Sequence, residues 1–503
     1  MTRRLLALLL VPVLLIGAAV ADGRHHRTVR GHDARPIQVS ANGNPAPTVP
    51  PRTPANAGSY LPVMAGRAAL DTAWFCVASS TSNPTAPGVV VLANAGPSPA
   101  RVVVNAVSDS GSTRAATVAV PAEGAAQVDV AGMVKGNWVA ATVVVDHGEV
   151  VPNLLVSHDG ATSVTPCASR TSSNWYFPMG ESETGTTEDL VFYNPYPDDA
   201  SVDVALETPD GPRQPPSLQG VPVPSGQVVV QRVSDVERRR ATLGATVTAP
   251  TGRVVAARMI SFDGSGAAGP LGGPRKGLSL ALGQPTLSTG WAWPYSTKAD
   301  GHADQFVLYN PGQSDATVAV HIGVANPAGV GQIPAIPVQV QAGSVTTFDA
   351  SKLRQIPGNS NYSVLIQSTN GVPVAIERLG ERQTSSAHGL VVTPGSPVQA
   401  EEWVLGAVDG RAGQAFVTVS NPGDRSVTVR LRRLDGKGGR VTATQQIAPH
   451  DRADFAADQF GGDGLASVVV QADRPVLAGA LQEQPRGLSF MLGVPARASI
   501  RFP

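Results

Sequence analysis

The chain is predicted to be all-β, built as four tandem β-sandwich modules of roughly immunoglobulin size. Three observations predict this. An aromatic cluster recurs at Trp74, Trp175, Trp291 and Trp403, with spacings of 101, 116 and 112 residues. A β-branched run ending in Asn follows each Trp by 18–20 residues, at Asn94, Asn194, Asn310 and Asn421. Gly (53) and Pro (43) fill 96 of the 503 positions, which suits many short strands joined by turns. Periods above 100 residues are too long for propeller blades of about 40–50.

The N-terminus comes first in the chain. Arg3 and Arg4 precede an apolar run from Leu5 to Ala21 that ends in Ala19-Val20-Ala21. A basic start, an apolar stretch and a small-residue end make an export signal. Residues 1–21 are therefore read as a signal peptide cleaved after Ala21, or as an uncleaved signal anchor. In both readings the rest of the chain is exported, either secreted or held at the cell envelope by its N-terminus. Residues 22–60 follow as a disordered linker, with six prolines between Pro36 and Pro54. That composition cannot bury a core and behaves as an extended spacer.

The predicted modules span residues 61–170, 171–286, 287–398 and 399–503. Each opens on its aromatic strand. The Asn-ended strand comes next, reading Leu190-Val191-Phe192-Tyr193-Asn194-Pro195 in the second module and Phe306-Val307-Leu308-Tyr309-Asn310-Pro311 in the third. Asn-Pro after such a run starts a turn. An alternating strand follows, for example Ala200 to Leu206, with one face for a core and one for water. These two strands are expected to form a hairpin. A turn, a strand and a short helical turn come next, the last near Asp349 to Leu353. A long strand and a strand ending in Arg (Val254 to Arg258, Val374 to Arg378) lead to a closing strand. It reads Gly277-Leu278-Ser279, Gly389-Leu390 and Gly487-Leu488-Ser489 in the last three modules. About seven strands per module are expected. Six residues separate the closing Pro285 and Pro397 from the next Trp, so the modules are expected to stack end to end as a rod.

Two cysteines, Cys76 and Cys167, form an even pair in a chain read as exported. They are expected to make one disulfide joining the first strand of module one to its last.

Charge excludes some function classes. Lys plus Arg and Asp plus Glu are 38 each, so no net field steers the chain to nucleic acid or anionic lipid. Membrane contact is expected only through the N-terminal segment. The histidines are scattered, and no phosphate-binding loop, nucleophile elbow or zinc motif occurs. No enzyme activity, cofactor or metal is expected. Glu181, Glu183, Glu188 and Asp189, with Asp300 and Asp304 at the matching place, are the best acidic candidates for a Ca²⁺ loop, and a solvated loop is the simpler reading. The four Trp and four Asn residues are read as structural parts of the repeat. A stacking platform for sugars at the Trp residues is the rival.

The aromatic-Pro opening, the Asn-Pro strand end, Val223 to Gly226 and Val255 to Arg258 resemble a repeat of bacterial extracellular proteins with a WYF…NP…VPAG pattern. With its signal and spacer, the chain resembles the actinobacterial exported family of unknown function DUF5719 over residues 60–503. Module one departs from the pattern, with Ala95 after Asn94, and module four lacks the Pro after Trp403. The resemblance implies an envelope location and no established activity. The expected role is a non-catalytic structural or interaction protein of the bacterial cell envelope, with cell-wall polysaccharide or envelope proteins as partners. The alternative is a carbohydrate-binding accessory protein in envelope glycan assembly.

Overall fold

The computed structural model describes residues 71–324, 333–410, 414–460, 464–496 and 499–502. The signal or anchor segment and the Pro-rich linker lie outside them. Among the described residues no helix is long and apolar enough to cross a membrane.

The protein is nearly all antiparallel β. Its strands fall into pairs of sheets, and each pair is called a unit below. In unit 1 the eight strands are Asp71–Ser80, Gly88–Asn94, Ala100–Ser108, Thr113–Val120, Gly124–Asp129, Trp138–Asp146, Val150–His158 and Ala161–Pro166. The first, sixth, third and fourth strands form one sheet in that order. The fifth, second, seventh and eighth form the other. The same order recurs over 174–282 and 290–394. It recurs again over 398–492, where one 20-residue strand, Leu465–Gln484, serves as sixth strand in one sheet and seventh in the other.

Each pair of sheets encloses a core fed by alternate residues of both. In unit 3, Trp291, Trp293, Val318, Val364 and Ile366 from one sheet meet Phe306, Leu308 and Ile376 from the other. Short helical turns follow the fifth strand at Val233–Val236, Ala350–Lys352 and Ala457–Gln459. The second of these is capped by Asp349, whose carboxylate accepts the Ser351 N–H at 3.1 Å.

Two expectations need correction. The second and third strands do not form a hairpin. They lie in opposite sheets, and the turn after each repeated Asn crosses between them. Alternation reports that one face of a strand is buried, and it is equally satisfied by a neighbour beside the strand or across the core. The hairpins are third-to-fourth and seventh-to-eighth. Each unit also holds eight strand positions, not seven.

The larger correction concerns the rod. The eighth strands, Ala161–Pro166, Pro274–Leu282, His388–Pro394 and Gly487–Leu492, all meet around one axis, with the fourth lying against the first. The first strand of each unit packs on the sheet of the next that holds the second and seventh strands, and unit 4 packs this way on unit 1. A repeated head-to-tail contact closes into a ring when its rotation fits. The closing-strand motif is built for this axis. Ser163 Oγ accepts the Leu280 N–H at 3.0 Å, Ser279 Oγ the Val392 N–H at 2.8 Å, and Ser489 Oγ the Val164 N–H at 3.2 Å. Unit 3 carries Val391 at that place. The axis is packed with Val164, Leu280, Val392 and Phe490, leaving a cavity of about 40 Å³. That is room for a water or a methyl group, so the centre is a core and not a pore.

Candidate functional site

The four repeated tryptophans are all at least 99% buried. Trp175, Trp291 and Trp403 donate Nε1–H to the carbonyls of Val254, Val374 and Val476, at 3.1, 2.8 and 3.0 Å. A buried indole with its N–H satisfied is a core anchor. Trp74 Nε1 has no partner among the described residues. None of the four rings is free to stack on a sugar.

The four asparagines repeat one constellation. Each side chain accepts the N–H two residues on at 3.0 Å, on Gly96, Tyr196, Gly312 and Gly423. Each amide also donates to the carbonyl four residues on, at 2.8–2.9 Å, on Ser98, Asp198, Ser314 and Arg425. The same amide reaches a carbonyl at the end of the fourth strand: Pro121, Val223, Val340 and Ala448. Asn alone among small side chains offers an acceptor and two donors, so it can tie the crossing turn to the far sheet.

Cys76 and Cys167 are joined, with a Cα–Cα distance of 4.5 Å. Cys76 lies in the first strand and Cys167 just beyond the eighth, so the link ties the two sheets of unit 1.

Four of the six acidic candidates lie beside arginines, while Asp300 is exposed and Glu183 half-buried. Glu188 is buried, accepts the Glu181 N–H at 2.9 Å, and lies within the field of Arg258. Burial pushes its pKa up to about 7, against the pull of Arg258. Asp304 accepts from Arg378 at 2.7 and 2.8 Å and from the Thr297 N–H at 2.7 Å. Asp189 pairs with Arg232 at 2.9 Å, and Glu181 pairs with Arg275. Among the described residues no cluster of three or more His, Cys, Asp or Glu is arranged to hold a metal ion.

The seam between units 2 and 3 gathers what sequence reading missed. Arg258 and Glu377 form a fully buried two-pronged pair at 3.0 and 3.1 Å. Glu377 also accepts the Met179 N–H at 2.9 Å, and Arg258 donates to the Met179 carbonyl. Arg275 bridges Glu181 of unit 2 and Glu381 of unit 3, the latter at 2.6 Å. Burial pushes Glu381 up to about 7, with Arg275 opposing. The strand ending in Arg supplied Arg258, but nothing in the chain order pairs it with an acid 119 residues away.

Further from the axis each seam has a seat formed by three residues. The residue after the repeated Trp pairs across to the sixth strand: Phe75 with Thr142, Tyr176 with Thr246, Ala292 with Leu365, and Val404 with Val469. The residue before the repeated Asn comes from the next unit. Tyr193 fills the seat of unit 1, its hydroxyl 2.7 Å from Thr142 Oγ1, with Phe75 edge-on at 6.3 Å. Tyr309 fills the seat of unit 2, 2.9 Å from Thr246 Oγ1. Burial pushes both phenols up to about 12. At the third seam the residues are Ala292, Leu365 and Ser420, and a cleft of about 230 Å³ remains there, flanked by His321 and His450. At the fourth seam Ala93 meets Val404 and Val469 in one apolar cluster.

Comparison with known proteins gives the family. Residues 157–451 match the family of unknown function DUF5719. The chain belongs to that family. No curated protein matches it. Among solved structures, Thermotoga maritima 1070 is 17% identical over 22% of this chain and 94% of its own, with a TM-score of 0.20. The Streptomyces avermitilis α-L-rhamnosidase complexed with L-rhamnose is 10% identical, over 75% of this chain and 54% of its own, with a TM-score of 0.12. A tetra-tandem repeat in the extending region of a large adhesion protein is 11% identical, over 80% and 94%, with a TM-score of 0.10. Scores this low carry no argument about this chain.

Proposed function

We propose that this member of DUF5719 is a non-catalytic structural or interaction protein of the bacterial cell envelope, presenting its β-units outside the membrane. One observation carries the reading: the residues that repeat from unit to unit are spent inside the units and around the axis. The Trp and Asn residues build each core, and the Gly-Leu-Ser strands join neighbours. A ring held by repeated internal contacts is a rigid platform whose outward faces are free to differ from unit to unit. The Arg3-to-Ala21 pattern and the Cys76–Cys167 link support an oxidising compartment beyond the membrane. Cell-wall polysaccharide and envelope proteins are the proposed partners.

Cell fractionation with thiol labelling tests this. The full-length protein is expected in the envelope or secreted fraction, with neither Cys76 nor Cys167 reacting with a maleimide unless the protein is first reduced. A cytosolic protein with two reactive thiols would sink the proposal. The carbohydrate-binding alternative loses its main support, because the repeated Trp residues are buried. Retention on purified wall polysaccharide is expected to be lost in variants of exposed residues on the outward faces and not to depend on the four buried Trp residues.

A further inference from the structure

The geometry points to the cleft between units 3 and 4 as a binding site for a phenol-sized aromatic ring. This goes beyond the envelope role, and it rests on how the molecule fills its own equivalent seats. At the first two seams a tyrosine occupies the place between the second strand of one unit and the first and sixth strands of the unit before it. Tyr193 packs against Phe75 and reaches Thr142. Tyr309 reaches Thr246 and lies over Gly244, where an added Cβ would come within 3.1 Å of the ring.

The third seam has the same strands in the same register with both rings deleted. Ala292 stands where the first two units carry Phe75 and Tyr176. Ser420 stands where the next units carry Tyr193 and Tyr309. Ser363 stands at the place of Gly244. Among the described residues no side chain fills the space, and about 230 Å³ stays open. A cavity of roughly 150 Å³ is enough to take benzene.

A second observation points to a ligand. Ser420 is 99% buried, lines the cleft, and its Oγ has no hydrogen-bond partner. A buried hydroxyl left unpaired costs free energy that an incoming polar group can recover. The walls divide suitably. Leu365, Ala292 and Leu477 give an apolar bed, Ser420 supplies the unpaired hydroxyl, Ser363 donates to the Gly323 carbonyl at 3.4 Å, and the two histidines beside them are exposed. Among the described residues no Asp, Glu, Lys or Arg lines the cleft, so the ligand it fits is uncharged at the ring. A para-substituted phenol meets each condition: a flat apolar ring, one hydroxyl, and a substituent directed outward. The ring can be carried by a free molecule or by the tyrosine of a partner chain.

The test uses the full-length protein and p-cresol, followed by saturation-transfer NMR and by the shift in Tm. Saturable binding with a Kd on the order of 1 mM is expected for the wild type. Ser420→Tyr places the protein's own ring in the seat and is expected to weaken p-cresol binding at least tenfold while raising Tm. Ala292→Tyr fills the other half of the cleft and is read the same way, so the test survives if one variant fails to fold. Acetyl-Gly-Tyr-Gly-amide binding as well as p-cresol identifies a side-chain source. Binding of p-cresol alone identifies a free molecule. The proposal is overturned by a wild type that shows no saturation with p-cresol. It is equally overturned by folded Ser420→Tyr and Ala292→Tyr variants that bind as the wild type does, or by glucose competing as well as p-cresol.

Discussion

The seam between units 2 and 3 and the seam between units 3 and 4 are assembled from equivalent strands and are sealed by different chemistry. The first is ionic and filled. Arg258 and Glu377 pair with no exposure, Arg275 joins two carboxylates, and Tyr309 occupies the outer seat. The second is aromatic near the axis, with Glu483 3.4 Å from both His302 and Arg382, and is open further out. Tyr295 packs against Phe416 at 5.2 Å and Phe490 at 6.1 Å, with Arg378 over Tyr295 and Phe490. It has no serine link at Val391 and no tyrosine at Ser420. Repetition therefore fixes the strand register of a seam and leaves its filling free to vary. The units are constrained by their cores, whereas each seam only has to be complementary to one neighbour.

The largest expected effect comes from breaking the ionic seam. Glu377→Ala leaves Arg258 charged and unpaired in a fully buried place, which costs about 3–5 kcal/mol. Replacing both together, Arg258→Met with Glu377→Leu, is expected to cost much less. Denaturant unfolding of the single and double variants checks this, and equal costs would show that the charge pair is not what matters. Tyr309→Ser makes the filled seam resemble the open one. Removing a buried aromatic costs about 3 kcal/mol, and the variant is expected to gain a second p-cresol site by NMR titration.

The next effect is on pH dependence. Glu188 and Glu381 have folded pKa values near 7, above the ordinary value of 4.5. Between those values the folded state keeps protons that the unfolded chain has released, so these groups lose stability as pH rises through about 4.5 to 7. Tm of the Glu188→Gln/Glu381→Gln variant, measured against wild type from pH 4.5 to 8, is expected to fall less with rising pH. A parallel pair of curves would refute the assignment. The smallest effect is Tyr309→Phe, which keeps the ring and loses the bond to Thr246, at about 1 kcal/mol.

Much of each unit was legible in the sequence, because its repeated parts sit at fixed distances along the chain. The Trp-to-Asn spacing marks the first two strands, and the Asn that ends the second ties the crossing turn to the far sheet. Strand partners were less legible. Ala200 to Leu206 alternates as it would in either sheet, and only the Asn194 bonds to Asp198 and Val223 reveal the crossing. The ring was not legible at all. Short junctions limit how far neighbouring units separate and say nothing of the direction in which each turns. The contacts that close the ring join residues more than 300 positions apart, such as Thr162 with Gln484 and Glu123 with Arg432. Glu188 and Asp304 were visible as aligned acids, and Arg258 and Arg378 as aligned bases. Asp304 and Arg378 meet on neighbouring strands of one unit, whereas Arg258 pairs with Glu377 across a seam that no local pattern encodes.

Ring closure also orders the life of the chain in time. A protein made from its N-terminus folds unit by unit as it emerges. Units 2 and 3 each meet a neighbour as soon as the next hundred or so residues arrive. The flank of unit 1 that will receive unit 4, with Val91, Leu155 and Val164 in its apolar cluster, stays open until the last strand has been made. The unit that waits longest is the one whose sheets are covalently tied by Cys76 and Cys167. The tie is placed to keep that unit in shape until unit 4 has followed it across the membrane.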